Sequence, residues 1–394
     1  MKICIVTHEY PPYISSGPGR TATHVVEYLV SRGHDVTVIT LLMMGGSKYE
    51  KKGNLEIYRL NIFKSKFIEK FLPMDIRLLL SWKLRSFFKK TDLSNFDILH
   101  VMDKFDSFFL NSRIKIPKIV SVNDTYALES SWNIFKFPYI STDILLRYTH
   151  YQLVKILDKY FLKKANLIIA NSYHTAKIIS KTCNISKSKI KVIHKGIKIK
   201  DFNLKIPDSK YLNHAVLYVG KNMERKGVWY LVNAMPYVVN KFPDAKFIFI
   251  GKSNLFFKAK VKKFILSKCL RKNVQFYDYI HPDKISEIYR KANVFCIPSV
   301  MEALGQVQLE AMAAQTPVIG SDVGGIPETI TPKTGILVKP KSSKEIAEAI
   351  VYLFSNPKIA RRMGKTGLRH VQNNFNANLM AKSYLQIYES FKLP

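Results

Sequence analysis

The sequence predicts an α/β protein built from two tandem doubly wound domains. Three observations carry this: short β-branched runs recur along the chain, helical patterns separate them, and a polar aperiodic stretch interrupts the series near the middle. At roughly 100–200 residues per domain, 394 residues are too many for one, and 47% apolar residues supply ordinary globular cores.

The first run, residues 2–7 (KICIVT), suits a strand buried on both faces. A Gly/Pro/Ser-rich loop, 11–19, leads to a helix pattern over 21–31 with Gly33 as its stop. Residues 36–40 (VTVIT) form a second strand, which completes a βαβ unit and implies a parallel sheet. Residues 98–102, 118–122 and 167–170 are further strands. The polar, basic run 195–213 marks the domain boundary. A second series follows, with strands at 215–220, 245–251, 274–277, 294–297 and 317–320 and a helix at 228–240. From about residue 343 the chain reads as helical. Open sheets of this kind bind ligands beyond the carboxyl ends of their strands, so two of them place a site in the cleft between.

The densest chemical signal lies between Pro298 and Glu328. Glu302 stands in a loop five residues after the strand 294–297, and Glu310 lies one turn into a helix that starts near Gln306. The helix start, with Gly305, Gln306 and Val307, offers backbone N–H groups to a phosphate. The two carboxylates would repel that phosphate and serve better as acceptors for sugar or ribose hydroxyls. A second group, Gly220 to Gly227, follows the strand 215–220 and holds Lys221 and Lys226. Two ammonium groups at a strand's carboxyl end can neutralise a diphosphate and stabilise it as it departs. Gly17 and Gly19, before the first helix, allow close backbone approach to a phosphate or sugar. A GxxxxGK[ST] loop is absent from the sequence, which excludes a P-loop nucleotidase.

These residues resemble glycosyltransferase family 4, of GT-B architecture. The paired glutamates separated by seven residues match Glu302 and Glu310, followed by Glu310-Ala311-Met312-Ala313, Thr316-Pro317-Val318 and Gly324-Gly325-Ile326-Pro327-Glu328. The basic pair matches Lys221 and Lys226, with Lys221 where the family more often has Arg. The N-terminal match rests on Gly17, Gly19 and the stretch from Arg32 to Thr37. The resemblance implies transfer of a sugar from a nucleotide-diphosphate donor to a glycan or lipid-linked hydroxyl, with retained configuration and neither metal nor cofactor. It further implies an acceptor-side domain at 1–200, completed by a C-terminal helix at about 378–394, and a donor-binding domain at 201–377. Lys221 and Lys226 would bind the diphosphate, Glu310 the ribose, Glu302 the transferred sugar, and the backbone at 305–307 the phosphates. Three further positions depart from the family pattern. Asn123-Asp124 replaces a His-Asp pair near the donor sugar, Lys195-Gly196 replaces Asn-Gly, and Gln315 stands where Gly is common. His100, after another strand, is a second candidate for lining the cleft, against a structural role of equal weight.

Lys and Arg total 62 against 29 Asp and Glu, a formal charge of +33 that calls for anionic partners. Residues 1–200 hold 33 and 15 of these, so the excess is spread over both halves rather than gathered in one nucleic-acid groove. The segment 59–90 mixes nine basic residues with Phe, Leu, Ile and Trp, a composition suited to an anionic membrane surface. Four scattered cysteines read as reduced thiols, the N-terminus is too short and too soon polar for a signal peptide, and nothing spans a bilayer. The expected location is the cytoplasm, with peripheral contact at the inner face of the cell membrane. Two rivals remain. A nucleotide-sugar epimerase would not carry the paired glutamates in this form, and a basic nucleic-acid-binding protein lacks any RRM, KH, zinc-finger or helix-turn-helix signature.

Overall fold

Alternate residues of β1 (Lys2–Val6) enter two different cores, Ile3 and Ile5 on one face and Cys4 and Val6 on the other. A strand buried on both faces belongs in a parallel sheet covered by helices. The computed structural model describes residues 1–14, 16–42, 46–61, 76–107, 114–125, 142–202, 208–221, 223 and 226–392. They divide into two compact units, Met1–His194 with Ala377–Pro394, and Lys195–Asn376.

In the first unit, β1 is followed by α1 (Gly17–Ser31), β2 (Asp35–Leu41), β3 (Tyr49–Lys52), β4 (Leu55–Leu60) and α2 (Ile76–Lys90). Then come β5 (Ile98–Val101), β6 (Lys118–Val122), α3 (Thr142–Lys164), β7 (Leu167–Ala170), α4 (Tyr173–Cys183) and β8 (Ile190–Val192). The sheet order is β3-β4-β2-β1-β5-β6-β7-β8, parallel except for the β3–β4 pair. Helix α1 starts four residues earlier than its apolar pattern, because Ser16 caps it and Pro18 suits its first turn. Gly17 and Gly19 therefore lie in the helix, not in a loop before it. Ala22, Val25, Val26 and Leu29 form its buried stripe.

Part of the segment 59–90, residues 62–75, lies outside the described residues. Several described side chains that flank it turn inward. The Arg59 guanidinium is buried and donates to Pro11 O (2.7 Å), Ser47 O (3.1 Å) and Glu50 (3.1 Å). Leu80 and Leu84 of α2 enter the core, and Phe87 and Phe88 pack against it. These apolar groups are held inside the protein and not offered to lipid.

The second unit runs β9 (Ala215–Val219), α5 (Val228–Lys241), β10 (Lys246–Ile250), α6 (Leu255–Ser267), β11 (Val274–Tyr277), α7 (Pro282–Lys291) and β12 (Val294–Ile297). It continues through α8 (Val307–Ala313), β13 (Val318–Ser321), β14 (Gly335–Val338), α9 (Ser343–Ser355) and α10 (Pro357–Asn374). Its sheet is wholly parallel, in the order β11-β10-β9-β12-β13-β14. Val216 and Tyr218 of β9 face one core and Leu217 the other. Gln315 holds φ +55 at the turn into β13, a left-handed conformation that favours the glycine common there in the resembled family.

The last helix, α11 (Ala377–Glu389), returns to the first unit. Its Met380, Ala381, Tyr384, Leu385 and Tyr388 share a core with α1 and β1.

Candidate functional site

The strand order of the second unit reverses direction between β9 and β12. Loops leaving the carboxyl ends of such neighbours part to opposite sides and leave a crevice. Both sequence-predicted blocks emerge there, the lysine loop after β9 and the glutamate loop after β12. Asn222, Glu224 and Arg225 of the first block lie outside the described residues.

Two glycines press the loops together. Gly227 has φ +67, and a Cβ there would stand 1.9 Å from Pro298 O. Gly324, with φ +59 after β13, would meet Glu302 O at 1.7 Å, and the neighbouring Gly325 N–H donates to that same carbonyl at 3.1 Å. Side chains at either glycine would force the loops apart. Their absence brings Lys226 to Glu302, and the Lys226 ammonium donates to Glu302 Oε2. The pair is partly accessible, the two side chains being 18% and 11% exposed. A ligand can therefore compete for either partner.

Glu310 lies in the first turn of α8, with its backbone N–H bonded to Gln306 O at 3.0 Å. Its carboxylate is mostly buried and accepts from the Tyr289 hydroxyl of α7 at 3.0 Å. Tyr289 is itself fixed from behind, since its carbonyl accepts from Thr316 Oγ1 (2.8 Å), which accepts in turn from Lys210 Nζ (2.8 Å). Lys210 is fully buried and also donates to Ala314 O at 2.7 Å, the end of α8. Burial pushes its ammonium well below the ordinary lysine range. Sequence reasoning missed Tyr289 and Lys210. A tyrosine within a helix and a lysine in a basic chain carry no local signal of burial.

Lys221 is exposed just beyond β9. Gly305 has φ +83, and the space of its missing side chain is occupied by the Gln308 amide, which donates to Leu304 O at 2.6 Å. Gln306 is the N-terminal flanking residue of α8 and Val307 its first member.

The candidates in the first unit take other places. A Cβ on Gly19 would meet Glu9 Cβ at 2.9 Å, and the Glu9 carboxylate accepts from Ser16 N (2.8 Å) and Oγ (2.6 Å) at the start of α1. Gly19 thus makes room for Glu9. Asn123 follows β6 half-buried, donating to Met102 O at 2.7 Å and accepting at its own carbonyl from Asn171 (3.1 Å); Asp124 beside it is also half-buried. His100 is fully buried, with Nδ1 2.5 Å from Tyr388 OH and Nε2 2.9 Å from Ser121 Oγ. Burial lowers its pKa to about 3. It is a neutral link between β5, β6 and α11, and lines no accessible surface. Across the strand-order reversal of this unit, His8 joins Asp106 through its backbone N–H (3.1 Å) and Nδ1 (3.0 Å), a pair the sequence reading did not single out.

Among the described residues, no group of three or more His, Cys, Asp or Glu is placed to hold a metal, and no helix is long and apolar enough to cross a membrane.

Residues 200–370 match the family model for glycosyl transferases group 1, and residues 15–201 match that for glycosyltransferase family 4. An uncharacterised glycosyltransferase of Methanocaldococcus jannaschii is 26% identical over 99% of this chain and 98% of its own. Among solved structures, sucrose-phosphate synthase from Thermosynechococcus elongatus has the same fold, with a TM-score of 0.81 at 21% identity over 99% of this chain and 98% of that one. HepE of Anabaena, solved with UDP-glucose, gives a TM-score of 0.71 at 16% identity, covering 99% and 100%.

Proposed function

The chain belongs to glycosyltransferase family 4, within the group 1 glycosyl transferases, and on that premise we propose that it moves a sugar from a nucleotide-diphosphate donor to a glycan or lipid-linked hydroxyl. The observation that supports this most directly is the Lys226–Glu302 pair at the strand-order reversal, with Glu310 held one turn into the next helix.

The charge pattern sets the order of events. Without donor, Lys226 neutralises Glu302. A diphosphate carries more charge than one carboxylate, so on binding it draws the ammonium away, with Lys221 as second cation. Glu302, released, accepts from hydroxyls of the donor sugar. Glu310, fixed by Tyr289, accepts from the ribose. The backbone at 305–307 takes phosphate oxygens.

In the transfer, the bond between the anomeric carbon and the diphosphate oxygen breaks while the acceptor oxygen bonds to the same face of that carbon. The acceptor proton passes to the departing phosphate, and configuration is retained. Negative charge grows on the diphosphate as the bond breaks, so the lysines hold the transition state more strongly than the bound donor, which is the requirement for catalysis. No metal takes part.

The test is incubation with a panel of nucleotide sugars in the presence of a chelator, with released nucleotide detected by mass spectrometry. At least one donor is expected to be consumed, and turnover is expected to fall by roughly 10²–10³ or more in Lys226→Ala and Glu310→Ala with circular dichroism unchanged. Full activity in either variant overturns the site assignment. Activity abolished by the chelator overturns the metal-free mechanism.

A further inference from the structure

From Gly251 to Asn273 the chain carries eight Lys or Arg and no Asp or Glu. Within this stretch α6 is fixed from one side only. Asn254 caps it, accepting from Phe257 N–H at 2.7 Å, and Phe257, Val261 and Ile265 enter the core of the second unit. Lys260 lies over the Trp229 ring at 4.0 Å. The opposite face projects Leu255, Phe256, Ala259 and Leu266, interleaved with Lys262 and Lys263, all exposed. Phe256 at 91% and Leu255 at 81% are the most exposed large apolar side chains among the described residues. They follow a capped position, so a well-formed first turn presents them. The Lys258–Asp278 ion pair, 2.5 Å, ties this turn to the segment carrying the exposed Tyr277 and Tyr279.

We propose that this face of α6, with Tyr277 and Tyr279, docks on an anionic phospholipid bilayer. Charge complementarity selects this occupant. Leucine and phenylalanine tips gain by leaving water for the acyl boundary, tyrosine rings suit the interfacial layer, and the lysines reach headgroup phosphates while their stems lie along apolar surface. A second copy of the chain would set lysine against lysine across any symmetric contact. Nucleic acid would satisfy the lysines but give the aliphatic Leu255 and Leu266 nothing to stack on. The surface is independent of the transferase reading, since none of its residues belongs to the Lys226–Glu302–Glu310 site.

The experiment is co-sedimentation of the full chain with vesicles of phosphatidylcholine alone or mixed with phosphatidylglycerol. Binding is expected to the mixed vesicles, to weaken in high salt, and to fall by at least about tenfold in the double variants L255S/F256S and K262E/K263E. Donor turnover and melting temperature should be unchanged in both variants. Equal affinity for the two vesicle types, or unchanged binding in L255S/F256S, overturns the proposal. So does loss of binding to a single-stranded oligonucleotide in K262E/K263E with vesicle binding intact, which assigns the face to nucleic acid.

Discussion

Both sheets reverse strand order, the first between β1 and β5 and the second between β9 and β12, yet different chemistry closes the two reversals. In the first unit, side chains join the loops. His8 is bonded to the fully buried Asp106, and Asn123 and Asn171 tie the ends of β5, β6 and β7. In the second, glycines press backbone against backbone at Pro298 and Glu302. The first arrangement uses polar side chains as joints. The second leaves the joint to the main chain, so Lys226 and Glu302 stay near solvent and available to a ligand. Similar topology therefore yields polar residues that are mostly structural in one unit and exchangeable in the other.

Removing the exchangeable charges has the largest expected effect. Lys226→Ala or Glu310→Ala should lower turnover by roughly 10²–10³ or more, read as released nucleotide, while His8→Ala should act mainly on the melting temperature. A His8 variant as inactive as Lys226→Ala, with its stability intact, breaks the contrast.

Gly227→Ala follows. Its left-handed backbone and the carbonyl 1.9 Å from the new Cβ should cost about 1–3 kcal/mol. Thermal denaturation should show the loss, with activity falling as Lys226 is displaced. An unaltered melting temperature would mean that the loops are not closed by backbone contact.

His100 probes the internal character of the first unit. Its folded pKa, about 3, lies below the ordinary 6.5, so protons favour the unfolded chain. The contribution is complete above pH 6.5 and is lost as pH falls from 6.5 towards 3, at up to about 1.4 kcal/mol per pH unit. Chemical denaturation across that range should show this slope in the native chain and a shallower one in His100→Gln. Identical slopes would place His100 in contact with water.

The smallest effect is that of Tyr289→Phe, which removes one hydrogen bond to Glu310 and little volume. It should cost about 0.5–1.5 kcal/mol, seen mainly as a raised KM for the donor with the melting temperature nearly unchanged.

Legibility in the sequence followed the range of the interactions. The run 215–220 predicts β9 because a strand buried on both faces is apolar by itself, and the start of α8 and the place of Glu310 within it are equally local. Strands β3, β4, β8 and β14 escaped: β3 is mostly polar at an edge, β4 mixes charged with apolar residues, and β8 has three residues. The union of Lys226 with Glu302 spans 76 positions, and the role of His100 depends on Tyr388, 288 positions away. No window of sequence contains such pairs. Composition alone does not say which apolar groups of a basic stretch the core takes: the mixture of α2 resembles that of α6. Among the described side chains, Leu80 and Leu84 are inside, Leu255 and Phe256 outside.

The return of α11 has a consequence for biosynthesis. The core of the first unit draws on Met380, Ala381, Tyr384, Leu385 and Tyr388, which a ribosome makes after every residue of the second unit. The first unit is thus completed only after the second. During translation the β1–α1 layer waits with an apolar face uncovered while its younger neighbour already has all its residues, and the arrival of α11 is the event that covers it.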